Sequence, residues 1–294
     1  MTDIDLINKV LNANSPSDIF TSDFKKEYIR FSKLIHPDHC KHPSASDAMA
    51  KLSTFKDELN NGITHTDDSG PLKRFDKKIV YNVTDKNENL LKKSVENYKL
   101  LKSKATSKTK NFLNYLPDHM TLTNRQLVIL FKDRTVPLIG HQFEQKHVNW
   151  VFSRLFEFSL WVQQVGFSHM GLNPETIYVV PETHGIICTS FYHLTPLFKK
   201  ANTVSTRFKN WYPTILFSEK IATPDIDLEL SKKIALYLLG DKSGAGTKLR
   251  RDKNVNQNML NFLLTKHKGE FVDYDEYRQL LAKNFQKKFY TLTI

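Results

Sequence analysis

Pro37 lies between two amphipathic runs, and its chemistry restricts what the first sixty residues can become. The ring removes a backbone donor and disfavours α geometry at His36, so a helix arriving from upstream must end near Ile35. Upstream, Phe24, Tyr28, Phe31 and Ile35 step by four, three and four, which lays one aromatic and aliphatic stripe along a helix. Ser22 and Asp23 read as its N-cap and first-turn carboxylate. Lys25, Lys26, Arg30 and Lys33 project from other faces. Downstream, Pro43-Ser44 opens another helix with Ala48, Leu52, Phe55 and Leu59 on one side, and Asn61-Gly62 stops it. A short helix carrying Ile4, Ile7, Val10 and Leu11 comes first and is broken by Ser15-Pro16-Ser17-Asp18. Residues 1–62 are therefore expected to form an all-α unit, a helical hairpin closed by the polar loop His36-Pro37-Asp38.

That segment resembles the J domain of DnaJ-type co-chaperones. The match is carried by Phe24-Lys25-Lys26-Glu27-Tyr28-Ile29-Arg30, by Lys33-Leu34-Ile35-His36-Pro37-Asp38, and by Ala50-Lys51-Leu52-Ser53-Thr54-Phe55. The resemblance implies no chemistry of its own. It implies that the basic face (Lys25, Lys26, Arg30, Lys33) docks on an acidic groove of a DnaK-type chaperone, and that His36, Pro37 and Asp38 favour its hydrolysis-competent state. Such charged contacts give specificity and on-rate more than raw affinity. The tract His36, His39, Cys40, His42 also has zinc-ligand chemistry, but no second ligand pair follows at a suitable spacing, so no metal is expected.

Charge divides the chain the same way. Residues 1–70 hold eight Lys/Arg against eleven Asp/Glu, and the remainder thirty-five against twenty, within a total of +12. Two units of different character are implied, the second suited to anions or acidic proteins. Only Cys40 and Cys188 occur, which argues against a disulfide framework and for a reducing compartment. The most apolar stretch, from Val151 to Phe167, is interrupted by Arg154 and Glu157 and is not a membrane span. With no secretory signal visible, a cytoplasmic protein is expected, in the host cytoplasm if it is phage-encoded.

Residues 63–71 read as a polar linker or irregular first strand, and 72–294 as a second domain. Strands are expected over Lys78 to Thr84, Gln126 to Phe131, Ile177 to Val180 and Gly185 to Cys188. Helices are expected over Asn89 to Lys110, Trp150 to Phe167, Leu228 to Leu239 and Met259 to Leu264. The segment His169-Met170-Gly171-Leu172-Asn173-Pro174-Glu175-Thr176-Ile177 is similar to the protein-kinase catalytic loop, H-R-D-L-K-P-E-N-I. Thr189-Ser190-Phe191 falls about where D-F-G would lie, Tyr212-Pro213-Thr214 resembles A-P-E, and Asp227 resembles the aspartate opening the next buried helix. The resemblance implies a two-lobed kinase-like domain, a small lobe over about 72–137 and a mainly helical lobe over 138–294. The whole chain is thus expected to be α+β.

Phosphoryl transfer needs a group to orient the hydroxyl and ligands to hold magnesium. Here Gly171, Asn173 and Thr176 occupy the positions of the base, the lysine and the metal-binding asparagine, and no Asp or Glu occurs between Thr183 and Ser218. The expectation is a pseudokinase without catalytic residues or cofactor, so that the chain acts as a co-chaperone with an unidentified client. Two other readings stand beside it. One is nucleic-acid or acidic-partner binding by the lysine-rich stretch 73–110, with twelve Lys/Arg against four acids. The other is residual nucleotide binding.

Overall fold

A computed structural model of the chain describes residues 2–13, 16–20, 24–266, 268–286, 288 and 290–292. The cap expected at Ser22 and Asp23, and Ser15 of the expected break, lie outside them. Three helices come first: α1 (Asp3–Asn12), α2 (Phe24–Ile35) and α3 (Ala45–Asn61). Thr2 and Asp5 form a reciprocal capping box that starts α1, satisfying two otherwise orphaned donors. Leu6, Ile7, Val10, Phe31, Ile35, Ala48, Leu52 and Phe55 close into one core, with Phe24, Tyr28 and Leu59 packed on its edge. Each fully buried Leu or Ile there contributes about 1.5–3 kcal/mol.

No linker follows. After α3 a single residue, Gly62, turns the chain directly into a strand, its φ of +69° lying where only glycine is at ease. Residues 63–71 belong to a hairpin: β1 (Ile63–Asp67) pairs antiparallel with β2 (Gly70–Phe75). The turn chemistry that reads as a linker, Asp67-Asp68-Ser69-Gly70, is the hairpin tip, where Ser69 N–H donates to Asp67 Oδ1 (2.8 Å). Then come β3 (Lys78–Asn82), α4 (Glu88–Lys104), β4 (His119–Leu122) and β5 (Gln126–Leu130). The sheet runs β1-β2-β3-β5-β4, antiparallel throughout. Its buried residues Leu72, Ile79, Tyr81, Leu127 and Ile129 share one core with Leu91, Val95, Tyr98 and Leu101 of α4. α4 stops at Lys104, short of the expected Lys110, and a turn held by Thr109 Oγ1 accepting Thr106 N–H (2.9 Å) separates it from a 3₁₀ helix over Lys110–Tyr115.

The rest is mainly helical. β6 (Val136–Pro137) pairs with β8 (Ile177–Val180), which pairs with β9 (Gly185–Cys188). β7 (Phe167–Ser168) pairs with β10 (Thr195–Pro196). The helices are α5 (Gln145–Gln164), α6 (Thr214–Glu219), α7 (Asp225–Leu238), α8 (Gln257–Leu264) and α9 (Glu270–Asn284). Among the described residues no helix is long and apolar enough to cross a membrane. The chain is mixed α and β, a sheet lobe followed by a helical lobe.

Candidate functional site

Two places carry the residues singled out by the sequence. The first is the end of the helical hairpin. Lys26, Arg30 and Lys33 fall at i, i+4 and i+7 of α2, on the side away from Phe31 and Ile35, and are exposed together with Lys25. Ile29 and Leu34 beside them are 56% and 39% exposed. The amides of His39 and Cys40 donate to His36 O (2.9 and 2.8 Å), so the chain turns as soon as α2 ends, as Pro37 requires. His36 Nδ1 accepts Asp38 N–H at 3.3 Å and lies 3.4 Å from Asp38 Oδ2. The Asp38 side chain is 78% exposed. Cys40 instead turns inward and reaches Asp3 Oδ2 (3.5 Å), away from any shared ligand position.

The second place is the loop between β7 and β8. Asp227, at the start of α7, accepts the N–H groups of His169 (2.6 Å) and Met170 (2.7 Å), while burial pushes its carboxyl up to about 6. His169 is fully buried, its Nε2 3.0 Å from Cys188 Sγ, and burial lowers it to about 3. The polar groups of the loop bond to one another. Asn173 Nδ2 and Thr176 Oγ1 both donate to Gly171 O (3.2 and 3.0 Å), and Asn173 Oδ1 accepts from Glu175 and Thr176 N–H. Pro174 O accepts Ile139 N–H (2.8 Å), tying the loop to the chain after β6. Thr189 Oγ1 donates back to Thr176 O (3.1 Å). Phe191 is tied to α4, its N–H donating to Ser94 Oγ (2.9 Å) and its carbonyl accepting from Asn97 Nδ2 (2.8 Å).

Sequence reading did not single out the buried Tyr81 and Tyr192 or the hairpin tip near them. Tyr81 of β3, Tyr178, Phe191 and Tyr192 are each no more than 4% exposed. Tyr81 Oη donates to Asp67 Oδ2 (2.6 Å), and burial raises Asp67 to about 6 against that bond. The tip of the β1–β2 hairpin is clasped to the helical lobe. Thr206 N–H donates to Asp68 Oδ1 (3.2 Å), Arg207 donates to Thr66 O (3.3 Å), and Arg207 pairs with Glu175. Glu175 has no exposed side-chain surface, and burial raises it to about 7 although Arg207 pulls the other way. Only the alternation of Ile79 and Tyr81 hinted at Tyr81, and nothing local marks Arg207.

Neither a family model nor a curated protein matches the chain. Among solved structures it is similar to ROP2 from Toxoplasma gondii, described as a virulence factor with a protein-kinase fold and no enzymatic activity. Identity there is 17%, over 76% of this chain and 79% of that one, at a TM-score of 0.46. It is likewise similar to vaccinia related kinase 3, at 12% identity over 79% of this chain and 95% of that one, again at a TM-score of 0.46.

Proposed function

We propose that the chain is a co-chaperone that stimulates the ATPase of a DnaK-type chaperone through His36, Pro37 and Asp38, with a catalytically inactive kinase-like domain that binds a client or partner. One observation carries the reading. The basic residues of α2 are exposed on the side away from its core and lead straight into a solvent-facing His36–Asp38 pair. Long-range attraction from such a face raises encounter rates, and the short polar loop then supplies the specific contact. The rest of the chain contributes by holding a partner beside the recruited chaperone, which works through effective concentration. Support for an inactive kinase-like domain comes from Gly171, Asn173, Thr176 and Thr189, whose groups are spent on one another.

Single-turnover ATP hydrolysis by a DnaK-type chaperone, with wild-type protein and with Asp38→Asn, tests it. Stimulation by wild type that the variant lacks is the expected result. Equal stimulation by both, or none from a folded protein, removes the co-chaperone reading.

A second reading has its own observation. Lys92, Lys99, Lys102 and Lys104 stand exposed along α4, a surface that fits phosphate backbones. Nucleic-acid binding that falls steeply with salt and is lost on replacing these lysines would favour it.

A further inference from the structure

The segment after β10 is lashed to the segment after α6 by three main-chain hydrogen bonds. Phe198 N–H donates to Ala222 O (2.8 Å), Ala222 N–H to Lys199 O (2.9 Å), and Ala201 N–H to Lys220 O (2.8 Å), around an antiparallel bridge between Lys200 and Ile221. This lashing leaves Phe198 in an unfavourable state twice over. Its φ is +61°, where a bulky side chain is a genuine outlier, and the residue is 68% exposed. Strain of this kind persists only where the surroundings enforce it, and it clusters at sites of recognition.

Phe198 is not alone. Ile215 and Phe217 of α6 are 48% and 39% exposed, and Ile221 of the lashed segment that follows is 38% exposed. Between residues 200–204 and α6 runs a groove of about 380 Å³, lined by Ala201, Asn202, Thr203, Val204, Leu216 and Phe217 and flanked by Lys200 and Lys220. Lys199 is exposed too, and Lys209 Nζ lies 5.5 Å from the centre of the Phe217 ring. From residue 183 to 218 the chain has no carboxylate, and Glu219 is the one acid on α6. Apolar side chains rimmed by one sign of charge mark an interaction surface.

The geometry points to an extended acidic segment of a partner protein as the occupant, its bulky apolar side chains seated in the groove and its carboxylates meeting Lys199, Lys200 and Lys220. A shallow groove with Phe217 in its wall favours this over a lipid surface, because a groove accepts alternate side chains of a peptide, whereas bilayers take convex faces that insert apolar groups. The inference rests on reading this domain as the partner-binding half of the chain, and it gives that partner a chemistry.

The test is fluorescence anisotropy of the full chain with a labelled twelve-residue peptide that alternates Glu with Leu and Phe. Saturable, salt-sensitive binding is expected. It should weaken at least tenfold in Phe198→Asn combined with Phe217→Ser, and again in Lys200→Glu combined with Lys220→Glu. Phe198→Asn alone should raise the melting temperature while lowering affinity, since Asn tolerates positive φ, and this shows that lost binding is not lost folding. Asp38→Asn should bind the peptide as wild type does, which separates this surface from the chaperone contact. No binding, or equal binding of a peptide with Lys in place of Glu, overturns the inference. Binding only to phosphatidylserine vesicles assigns the patch to membranes, and self-association lost in the Phe198 variants assigns it to a second copy; each also overturns it.

Discussion

His193 occupies the space that any side chain at position 171 would need: a Cβ built on Gly171 would lie 2.7 Å from His193 Cδ2 and 3.3 Å from its Cβ. Position 171 is therefore closed to a side chain while His193 stays in place. His193 is held there by Thr203, whose hydroxyl is 2.9 Å from Nδ1, and burial lowers the ring to about 4.

Gly171→Asp should accordingly destabilise the chain, by about 1–3 kcal/mol from overpacking alone. It should gain no phosphoryl-transfer activity, because Asn173, Thr176 and Thr189 stay bonded among themselves. Chemical denaturation reads the loss, and Gly171→Asp with His193→Gly should recover part of it. Full stability in the single variant would mean that His193 swings aside at no cost.

How much of this was legible in the sequence depends on where each signal resides. β8 and β9 have the boundaries the sequence implies, since both are short apolar runs bounded by Pro181 and Gly185. β1 was legible only as one of two alternatives, linker or irregular first strand: only Asp67 of its five residues is buried, so there is no alternation to read, and its turn imitates a linker. α5 begins five residues before the expected Trp150, because Gln145, His147 and Asn149 are polar yet buried. They satisfy each other and their neighbours, as when Gln145 Nε2 donates to Asn149 Oδ1 at 2.8 Å. The residues from His169 to Thr176 could be singled out together because their pattern is local. Their relation to His193 and Arg207 is tertiary, and no spacing reveals it.

Asp227 organises that loop by accepting two amide protons in a fully buried site. Asp227→Ala leaves both donors without their acceptor, at about 1–3 kcal/mol each. The expected loss is several kcal/mol with early unfolding of residues 168–176 in hydrogen exchange, while Asp227→Asn, keeping one acceptor, should cost less. A loss under 1 kcal/mol for the alanine variant would show that water replaces the carboxylate.

Arg207 is half exposed, so its pairing with buried Glu175 is partly screened. The carboxyl, raised to about 7, stabilises the fold fully below its ordinary value near 4.5 and loses that contribution as pH rises through 7. Arg207→Ala removes the opposing cation and pushes Glu175 higher still. The variant should therefore be destabilised more at pH 8 than at pH 5, and amides near Asp68 should exchange faster as the hairpin tip is released. A pH-independent effect would place the role of Arg207 in its bond to Thr66 O instead.

His147 Nδ1 and His184 Nε2 lie 2.8 Å apart inside the helical lobe, and burial lowers both, His184 to about 4. A lowered histidine means that the unfolded chain binds more protons below pH 6.5, so stability falls as pH drops from 6.5 toward 4. Replacing His184 by Asn, which also tolerates the positive φ of 52° there, should flatten that part of the stability–pH curve. The melting temperature of wild type and variant between pH 7 and pH 4.5 measures it, and parallel curves would assign the acid sensitivity to other groups.

Gly62 is the one residue between α3 and the sheet, and its φ of +69° with ψ of 163° belongs to a region used almost only by glycine. A Cβ there would also meet Phe75 Cζ at 2.9 Å and Arg74 O at 3.0 Å. Gly62→Ala should therefore cost about 1–3 kcal/mol by backbone strain, with further loss from the clash, and should lower the melting temperature. Below that temperature it should leave chaperone stimulation intact, because the seventeen residues of α3 put its far end roughly 25 Å from the joint at about 1.5 Å per residue. An Asp38→Asn variant should show the reverse, unchanged melting with stimulation lost. If Gly62→Ala abolishes stimulation while still folded, the fixed angle between the helical hairpin and the sheet is itself part of how the chain engages its partner.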